Sequence, residues 1–338
     1  MSRVAVVILN YNGKELLEKF LPSVIEFSGD AEIVVADNNS TDGSKEFVQH
    51  TYPQVTLISI SSNLGFCGGY NFALKQVQAE YYVLLNSDVE VTPNWLAPII
   101  TLLDNDKSIA AAQPKILSHS EQHLFEYAGA GGGFIDALGY PFCRGRIFDT
   151  VEEDEGQYND TVPIFWATGA CMVVRAELYH SMGGLDETFF AHMEEIDLCW
   201  RLNRAGHKMM YCGSSTVYHV GGATLNKSNP RKTYYNFRNG IILLIKNLSL
   251  GRLLYKLPLR MGLDWVAALK FLLTGSGMDF LAVMRAHFYI FTHFFGLFAK
   301  RSSELSYQAN QMYKGSIVVD YYLKSKRKFS DLGFSSPK

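Results

Sequence analysis

Three carboxylates lie within four positions in the stretch HMEEIDLCWR (192–201): Glu194, Glu195 and Asp197, with Arg201 closing the stretch. On a helix that starts near Glu194, Asp197 and Arg201 form a favourable i,i+4 pair with the acid first. Glu194, in the first turn, is favoured by the helix dipole. Glu195 points to another side and has no evident partner on its own helix. An unpaired carboxylate at a helix N-terminus is a candidate general base.

A second group of polar side chains ends the predicted strand YYVLLNSD (81–88), where Asn86 and Asp88 are two positions apart. Side chains at i and i+2 of an extended segment point to the same side. Their oxygens suit a hard divalent cation that also binds a diphosphate. An ordinary turn after a strand is the alternative. His219 ends another predicted strand, and because a lone histidine is more often structural, it becomes a candidate ligand only beside Asn86 and Asp88.

The stretch ADNNSTDGS (36–44) ends a predicted strand at Asp37 and continues into a turn. Taken alone, it is typical of a turn followed by a helix N-cap, with Ser40, Thr41 or Asp42 starting the helix. The functional alternative is that Asp37 accepts a hydrogen bond from the imide N–H of a nucleotide base. The pattern is compatible with both.

Four apolar runs rich in β-branched residues position these groups. The predicted strands are VAVVIL (4–9), EIVVAD (32–37), VTLISI (55–60) and YYVLLNSD (81–88), and a helix is predicted over 66–79. Strands that alternate with helices predict an α/β protein with a mostly parallel, doubly wound sheet. Such sheets bind ligands beyond the carboxyl ends of their strands. Asn10, Asp37 and Asp88 all lie at such ends.

The middle of the chain is less regular. Residues 119–160 are rich in glycine and then acidic, which predicts a mobile excursion or lid. A strand is predicted at 163–175, a helix at about 194–205, and short strands near KMMYC (208–212) and at 215–220. The stretches NLGFCGG (63–69) and GAGGGF (129–134) do not satisfy G-x-G-x-x-G, and no P-loop lysine pattern occurs. A dinucleotide cofactor is therefore not favoured.

The net charge of −2 hides two regions of opposite sign. Residues 1–226 carry 13 Lys and Arg against 28 Asp and Glu, a net −15, whereas residues 227–338 carry 18 against 5, a net +13. The acidic region argues against a nucleic-acid partner. The basic, aromatic region suits an anionic surface such as phospholipid headgroups.

The cysteines and the first residues indicate a cytoplasmic protein. Five cysteines, at 67, 143, 171, 199 and 212, are odd in number and contain no CxxC, so that neither a disulfide framework nor a zinc site is predicted. The run VAVVIL is too short for the apolar part of a signal peptide.

Two long apolar stretches follow residue 226, at 253–275 and 285–301, and both are interrupted by charged residues or glycine. Neither offers about 18 uninterrupted apolar residues, so we predict helices that lie in the membrane interface rather than helices that span it. A helical subdomain packed on the rest of the chain or on a partner is the alternative.

The motifs, taken in order, resemble those of the family 2 glycosyltransferases, which have the GT-A fold. The resemblance covers about residues 3–222 and rests on VVILNYNG, VVADNNSTDGS, NLGFCGGYN, YVLLNSDVEV, WATGACMVVR and the long run GGLDETFFAHMEEIDLCWRLNRAGHKMMYCGSSTVYHVGG. Within the family, the chain looks most like bacterial rhamnosyltransferase-type enzymes of surface polysaccharide synthesis. Residues 1–226 would then be the catalytic domain, and residues 227–338 a helical region peripheral to the membrane.

The resemblance implies roles for individual residues. Asp37 would meet the nucleobase, and Asn10, Asn63, Gly69 and Asn71 would surround the nucleotide. Asn86, Ser87 and Asp88 occupy the metal motif, with Asp88 as the main ligand to Mn²⁺ or Mg²⁺ and His219 as a further ligand to the metal or diphosphate. Trp166, Thr168 and Gly169 would line the acceptor side. Glu195, with Glu194 before it, takes the place of the family's catalytic base.

Two residues depart from the family's usual pattern. Asn86 replaces the first acid of the common Asp-x-Asp, which lowers the negative charge of the metal site. Glu195 stands where the family usually has Asp, and its extra methylene moves the carboxylate by about 1.5 Å if nothing else adjusts.

The activity implied is sugar transfer with inversion, from a nucleotide-diphosphate donor to a hydroxyl of a glycan or lipid-linked acceptor, at the inner face of the cell membrane. A non-catalytic membrane-associated scaffold and a sugar nucleotidyltransferase are the alternatives. A glycosidase is disfavoured because Glu194 and Glu195 are adjacent rather than on facing elements.

Overall fold

A computed structural model of the protein describes residues 2–127, 129–221, 229–301 and 312–334. The strands are β1 (Val4–Asn10), β2 (Glu32–Asp37), β3 (Thr56–Ser59), β4 (Tyr81–Asn86), β5 (Val89–Val91), β6 (Ile109–Ser118), β7 (Gly133–Asp136), β8 (Pro141–Cys143), β9 (Arg146–Ile147), β10 (Thr150–Val151), β11 (Thr161–Ile164), β12 (Cys171–Arg175), β13 (Lys208–His219) and β14 (Met312–Tyr313). The α-helices are α1 (Lys14–Phe27), α2 (Ser44–Thr51), α3 (Gly65–Leu74), α4 (Ala97–Asn105), α5 (Ala176–Ser181), α6 (Glu194–Arg204), α7 (Pro230–Asn247), α8 (Leu250–Leu273), α9 (Gly277–Ala299) and α10 (Ile317–Tyr322), and a 3-10 helix covers Phe329–Leu332.

The larger sheet confirms the predicted α/β class. Its strand order is β11-β13-β6-β12-β4-β1-β2-β3, and β5 pairs with β13 beside this path. Strands β4, β1, β2 and β3 are parallel, whereas β12 runs antiparallel between β4 and β6. The sheet is therefore a parallel half joined to a mixed half.

Side chains that alternate along the buried strands pack into two apolar layers, one on each face of the sheet. From β1, Ala5 and Val7 face a layer shared with α3 and α6, while Val6 and Ile8 face the layer shared with α1 and α4. Helices thus cover both faces of the sheet, which is why β1 reads as an uninterrupted apolar run.

The carboxyl ends of β4, β1 and β2 meet at one edge, as the sequence predicts. Asn10 pairs with Asp37 across β1 and β2, and Leu9 pairs with Asn86 across β1 and β4. The polar residues that end the three strands are therefore neighbours in space.

Three predicted strands have different limits in the structure. The predicted strand 163–175 is two strands, β11 and β12, because the chain turns at 165–170 between them. Thr168 Oγ1 stabilises this turn by accepting the backbone N–H of Ala170 at 3.2 Å. The two short strands predicted at 208–212 and 215–220 are one strand, β13, with an irregular register between Cys212 and Thr216.

The prediction of a mobile lid at 119–160 is wrong for the described part of that segment. Strands β7 to β10 form a second small sheet with β14, and most of its side chains are buried. The glycines permit close packing: a Cβ on Gly133 would lie 2.2 Å from the ring of Trp166, and Gly132 has a φ of +105°. They mark contact between backbone and side chain rather than freedom of movement.

The C-terminal helices differ in how much apolar surface they bury. In α7, the run Ile241–Ile245 is fully buried and belongs to the same apolar layer as α6. Helices α8 and α9 pack against α7 but leave Leu254, Val266, Phe288, Phe291 and Phe295 between 66% and 87% exposed. Among the described residues, α9 alone is long and apolar enough to cross a membrane by length and composition, and a third of its most apolar window is buried. The predicted boundary at residue 226 lies outside the described residues.

Candidate active site

The first part of the site is a polar cluster at the carboxyl ends of β1 and β2. Asp37 is fully buried, and its carboxylate accepts from the Ser40 backbone N–H at 2.9 Å and from Asn10 Nδ2 at 3.3 Å. Lys45 Nζ lies 3.9 Å from Asp37 Oδ1. The predicted turn is therefore present, but the predicted start of the helix at Ser40, Thr41 or Asp42 is wrong, because α2 starts at Ser44 with Gly43 at the N-cap position and no side-chain cap. Asn10 Oδ1 is buried without a hydrogen-bond partner among the described residues, so that it remains able to accept from a ligand.

A second asparagine cluster borders the same edge. Asn38 Nδ2 donates to Asn63 Oδ1 at 3.1 Å and to the Gly65 carbonyl at 3.0 Å. A Cβ on Gly69 would lie 2.7 Å from Leu9 and 3.2 Å from Asn38 Nδ2, so the missing side chain lets α3 approach β1. Asn63 and Gly69 thus both contact Asn38, the residue that follows Asp37. Asn38 is not among the residues predicted from the sequence.

Asn71 is engaged elsewhere. Its Nδ2 donates to the Leu185 carbonyl at 2.8 Å, and its Oδ1 accepts from Tyr179 Oη at 2.7 Å and from the Leu185 N–H at 3.0 Å. The side chain therefore ties α3 to the segment before α6, rather than joining Asn10 and Asp37.

The predicted metal motif comes together around His219. His219 Nε2 lies 3.0 Å from Asp88 Oδ1 and 3.5 Å from Asn86 Nδ2. His219 reaches this position because it pairs with Val89 across β13 and β5, while the N–H of Val220 donates to the Asp88 carbonyl at 3.0 Å. Both Asp88 and His219 are buried.

The lack of a side chain at Gly13 lets Asn10 and Ser87 lie close to the same point of the backbone. A Cβ on Gly13 would lie 2.5 Å from Asn10 Oδ1 and 3.5 Å from Ser87 Oγ. Ser87 is therefore close to Asn10 and to the polar cluster at the ends of β1 and β2.

A carboxylate that the sequence reasoning missed, Glu126, lies on the far side of the histidine. Its Oε2 is 3.3 Å from His219 Nδ1, and Glu126 is only 6% exposed. Burial lowers the pKa of His219, but hydrogen bonds to Asp88 and Glu126 outweigh it and raise that pKa to about 10. Glu126 falls inside the segment that the sequence analysis predicts to be a lid, and nothing in its local pattern distinguishes it from the other acids there.

The donor set fits a divalent cation. Two neighbouring ligands of an octahedral ion lie about 3 Å apart, which is the separation of Asp88 Oδ1 and His219 Nε2. A metal-bound histidine usually donates its other N–H to a carboxylate, which is the place of Glu126. The amide of Asn86 presents nitrogen, and half a turn of that amide would present oxygen. Across the parts of the chain that the structure describes, no three His, Cys, Asp or Glu side chains form a metal cluster, so the amide is needed.

Two of the three residues predicted to line the acceptor side, Trp166 and Thr168, are buried and hydrogen-bonded within the protein. Trp166 is 5% exposed, stacks on Gly133 and donates from Nε1 to the Phe134 carbonyl at 2.8 Å. Thr168 is buried, and its N–H donates to Gln113 Oε1 at 3.0 Å. Gly169 is next to Glu195, whose carboxylate accepts the Gly169 backbone N–H. Only Gly169 of the three therefore touches the reactive groups described here.

Glu194 and Glu195 form a buried acidic pair at the start of α6. Burial raises the pKa of Glu194 well above its ordinary value, and the charge of Glu195 raises it further. Burial also raises the pKa of Glu195, to about 7, although backbone N–H groups at the helix start and at Gly169 lower it in part. Glu194 is 4% exposed whereas Glu195 is partly exposed, so Glu195 is the member that a ligand can reach.

The turn at 165–170 joins the acidic pair to the metal motif. The backbone N–H of Gly169 contacts the Glu195 carboxylate, and the next carbonyl, of Ala170, accepts the Asn86 N–H at 3.0 Å. Glu195 and Asn86 therefore lie on either side of one short turn. Glu195 Oε2 is shielded from solvent and has no hydrogen-bond partner among the residues described.

The third acid of the opening stretch has the partner that its spacing predicts. Asp197 Oδ2 is 2.8 Å from Arg201 Nε, which confirms the i,i+4 pair. Lys246 and Asn247 of α7 add contacts of 2.9 Å each, which the sequence reasoning missed. Burial would raise the pKa of Asp197, but Arg201 and Lys246 outweigh it and hold that pKa below its ordinary value. Asp197 is therefore structural and is set apart from the acidic pair.

Comparison with known proteins defines the class and then the family. Solved structures show that the chain has the GT-A glycosyltransferase fold. They include GalNAc-T7 with UDP, GalNAc and Mn²⁺, at a TM-score of 0.57 and 15% identity, covering 74% of this chain and 49% of that one. They also include S. aureus TarS 1-349, at a TM-score of 0.51 and 14% identity, covering 89% and 76%.

The family follows from the sequence. The model of glycosyl transferase family 2 matches residues 5–180, which is more than half of the chain, and the protein belongs to that family. One similar protein is the N-acetylglucosaminyl-diphospho-decaprenol L-rhamnosyltransferase of Mycobacterium tuberculosis, 27% identical over 231 residues, or 63% of this chain and 75% of the relative. Another is the rhamnosyltransferase WbbL of Escherichia coli, 26% identical over 223 residues, or 64% and 83%. The protein is a glycosyltransferase, as its motifs predict.

Replacing Glu126 tests its link to the histidine. Glu126→Gln keeps the shape of the side chain but removes a negative charge 3.3 Å from His219 Nδ1. We expect the pKa of His219 to fall from about 10 toward its ordinary 6.5, because an anion beside the imidazolium favours the charged form. Histidine ¹H–¹⁵N correlation spectra of the metal-free protein, recorded across pH, would measure this. The exposed Glu155→Gln is the control, and an unchanged His219 titration in Glu126→Gln would contradict the assignment.

Proposed function

We propose that the protein transfers a sugar, with rhamnose as the first candidate, from a nucleotide-diphosphate donor to a hydroxyl of a glycan or lipid-linked acceptor, with inversion at the anomeric carbon. One observation carries the proposal. Among the described residues, one carboxylate oxygen of Glu195 has no hydrogen-bond partner; it lies on one side of the 165–170 turn, while Asn86, Asp88 and His219 lie on the other. A base and a site for a leaving diphosphate are thereby adjacent.

The donor would occupy the edge formed by β1, β2 and β4. Asn10 Oδ1 is buried and unused within the described structure, which suits an N–H of a nucleotide base or ribose hydroxyl. Asp37 has one backbone and one side-chain partner and can accept further hydrogen bonds. The diphosphate would then lie toward Ser87 and Asp88. Binding beyond the carboxyl ends of parallel strands is the general rule for such sheets.

A divalent cation is part of the proposal. Asp88, His219 and the amide of Asn86 would hold Mn²⁺ or Mg²⁺, with Glu126 orienting the histidine. A cation there supplies positive charge that stabilises a departing diphosphate. GalNAc-T7 and the mannosyltransferase PcManGT of Pyrobaculum calidifontis, which share the fold, have been solved with Mn²⁺ bound.

The chemical step needs a group that takes a proton from the acceptor. Glu195 would accept the hydroxyl proton as the acceptor oxygen attacks the anomeric carbon and the bond to the diphosphate breaks. A pKa raised to about 7 by burial makes this carboxylate a better base than an ordinary glutamate near neutral pH. Burial and the neighbouring charge of Glu195 raise the pKa of Glu194 well above its ordinary value, which favours its protonated form beside an ionised Glu195.

We also propose that α8 and α9 hold the enzyme at the inner face of the cell membrane. Their exposed side chains include Leu254 at 70%, Phe291 at 83% and Phe295 at 87%. Residues 227–338 carry a net +13, which matches an anionic headgroup surface. A carrier-linked acceptor, of the kind that the name of the M. tuberculosis relative specifies, would be presented at such a surface.

Glu195→Gln tests the base. The amide cannot take the proton, and we expect kcat to fall by about 10²–10⁴-fold while donor affinity stays within about twofold. In the wild type, kcat should drop as the pH is lowered through about 7, because the carboxylate becomes protonated, and the variant should lose this dependence. Release of nucleoside diphosphate from a sugar-nucleotide panel gives the rate. Near-normal turnover in Glu195→Gln would remove Glu195 from the role; the exposed Glu177→Gln is the control.

Asp88→Asn tests the metal site. Changes to residues that only contact the metal ligands typically lower metal affinity by about 10–100-fold. Removing a ligand itself should lower the affinity by at least as much. Calorimetry would measure the affinity for UDP, GDP and dTDP, each in the presence of Mn²⁺ and in the presence of EDTA. The variant should keep the nucleotide affinity seen in EDTA but should lose the increase in affinity that Mn²⁺ gives the wild type. Asp30→Asn, at an exposed turn, should behave as wild type. A gain from Mn²⁺ that survives in Asp88→Asn would rule out this cation site.

A double change, Phe291→Ser with Phe295→Ser, tests the membrane surface. Each exposed ring should contribute about tenfold or more to partitioning if it enters the interface. Sedimentation with vesicles of phosphatidylcholine and phosphatidylglycerol should show strong binding of the wild type, weaker binding to phosphatidylcholine alone, and at least about tenfold loss in the variant. Phe72→Ser, on α3 and 40% exposed, is the matched control. Equal vesicle binding by the wild type, the double variant and the control would oppose the proposal. Concentration-dependent dimers in ultracentrifugation that the double change abolishes would also oppose it, because the exposed rings would then contact a second copy of the chain.

A further inference from the structure

The backbone that leads into Glu195 has an unusual shape. Phe190, His192 and Met193 have φ values of 64°, 68° and 73°, which is the left-handed region that residues other than glycine rarely adopt. Three such residues within four positions persist only when their surroundings hold them firmly. The segment 188–193, which we name the base loop, therefore needs strong contacts from outside itself.

Those contacts come largely from two adjacent residues of α7. Asn239 is fully buried, and its Nδ2 lies 3.1 Å from the Phe189 carbonyl, 2.8 Å from that of Ala191 and 2.7 Å from that of His192. Arg238 donates to the Phe189 carbonyl at 2.8 Å and to that of Thr188 at 3.0 Å. Four carbonyls of the base loop thus bind one Arg-Asn pair.

The orientation of the asparagine is fixed by its neighbour. Arg238 Nε donates to Asn239 Oδ1 at 2.8 Å, so the oxygen of the amide faces the guanidinium and the NH₂ group faces the base loop. Because Asn239 presents two hydrogens to three carbonyls, replacing those hydrogens by an acceptor would leave the carbonyls facing a repulsive group.

Two carbonyls of the loop remain: that of Met193 accepts the Asp197 N–H at 3.0 Å, as part of the start of α6, and that of Phe190 is held from the other side. The N–H groups of Phe66 and Cys67, in α3, donate to the Phe190 carbonyl at 3.0 and 3.4 Å. A Cβ on Gly65 would lie 2.6 Å from the Phe190 ring, so the loop also packs closely on α3. With α3 on one side and α7 on the other, the base loop is clamped.

The position of the Glu195 carboxylate depends on this loop. Backbone N–H groups at Met193, Ile196 and Gly169 interact with it, and Met193 is the left-handed residue that starts α6. A shift in the loop would therefore shift the carboxylate relative to the 165–170 turn and the metal motif beyond it.

We infer that Arg238 and Asn239 are positioning residues for Glu195: by binding the base loop carbonyls, they hold the base in its reactive position. The inference rests on the proposed role of Glu195. It gives α7 a part in catalysis that is separate from any contact of α8 and α9 with a membrane. A plain structural role, in which the pair merely anchors α7, is the competing explanation.

Asn239→Asp is the sharpest test, because it keeps the size of the side chain and the contact with Arg238 but replaces the amide donors by an oxygen. We expect kcat to fall by about 10- to 100-fold, as a displacement of about 1 Å would cause. The KM for the donor and the affinity for UDP, GDP or dTDP should change by less than about twofold. Hydrogen exchange read by mass spectrometry should become faster in peptides covering 188–195 than in the wild type.

Asn203→Asp is the matched control. Asn203 is also buried, lies on α6, and donates to one backbone carbonyl, that of Phe165, at 2.9 Å. It should lose stability without the specific loss of kcat or the faster exchange at 188–195. If Asn239→Asp does not fold, Asn239→Ser, which removes the donors without adding charge, is measured in the same way, and Arg238→Lys provides an independent change in the same clamp.

The outcomes separate the two proposals. Three results would each overturn the positioning role. The first is faster exchange at 188–195 in Asn239→Asp with unchanged kcat. The second is a loss of kcat no larger than that of Asn203→Asp, and the third is wild-type exchange together with wild-type kcat. Normal turnover in Glu195→Gln would instead reject the base itself, whatever Asn239→Asp does. Loss of kcat in both Glu195→Gln and Asn239→Asp, with donor affinity retained, supports both.

Discussion

The fold around the reactive groups depends on one carboxylate that has no access to water. Asp197 is fully buried, and a buried charge is stable only when it is paired and hydrogen-bonded. Arg201 from its own helix supplies one partner, while Lys246 and Asn247 bring α7 against α6 to supply the others. Once α7 is in that place, its Arg238 and Asn239 reach the base loop. The pairing of a structural charge thus determines where the neighbouring reactive carboxylate can lie.

The three acids at the start of α6 show how environment separates roles. Asp197 meets two cations and stays ionised, whereas within the described parts of the chain Glu194 and Glu195 meet no cation at comparable distance, and burial favours their protonated forms. Similar chemistry within four residues therefore yields one structural anion and one acid–base pair. The environment of His219 acts in a comparable way on a base: His219 lies between the carboxylates of Asp88 and Glu126, and these two anions favour the charged form of its imidazole.

The sequence was a good guide wherever function depends on local order along the chain. The strand end at Asp37, the helix at about 194–205 and the Asp197–Arg201 pair follow from short-range patterns, and the structure agrees to within one residue. The strand predicted to end at Asp88 ends two residues earlier, at Asn86. Contacts between distant segments could not be read in this way. Glu126 meets His219 across 93 positions, and Asn239 meets His192 across 47. The glycine-rich stretch misled because glycines needed for close packing on Trp166 look the same as glycines in a mobile loop.

The Arg-Asn clamp also bears on how such enzymes can be recombined. The base loop comes from one part of the chain and the residues that hold it from another, beyond the predicted boundary at residue 226. A chimera that joins the first region of one relative to the helices of a second would therefore mix a loop and a clamp that had never been fitted to each other. Residues 188–193 and helix α7 should therefore be taken from the same parent protein, even though the charge and composition of the two regions make them look separable.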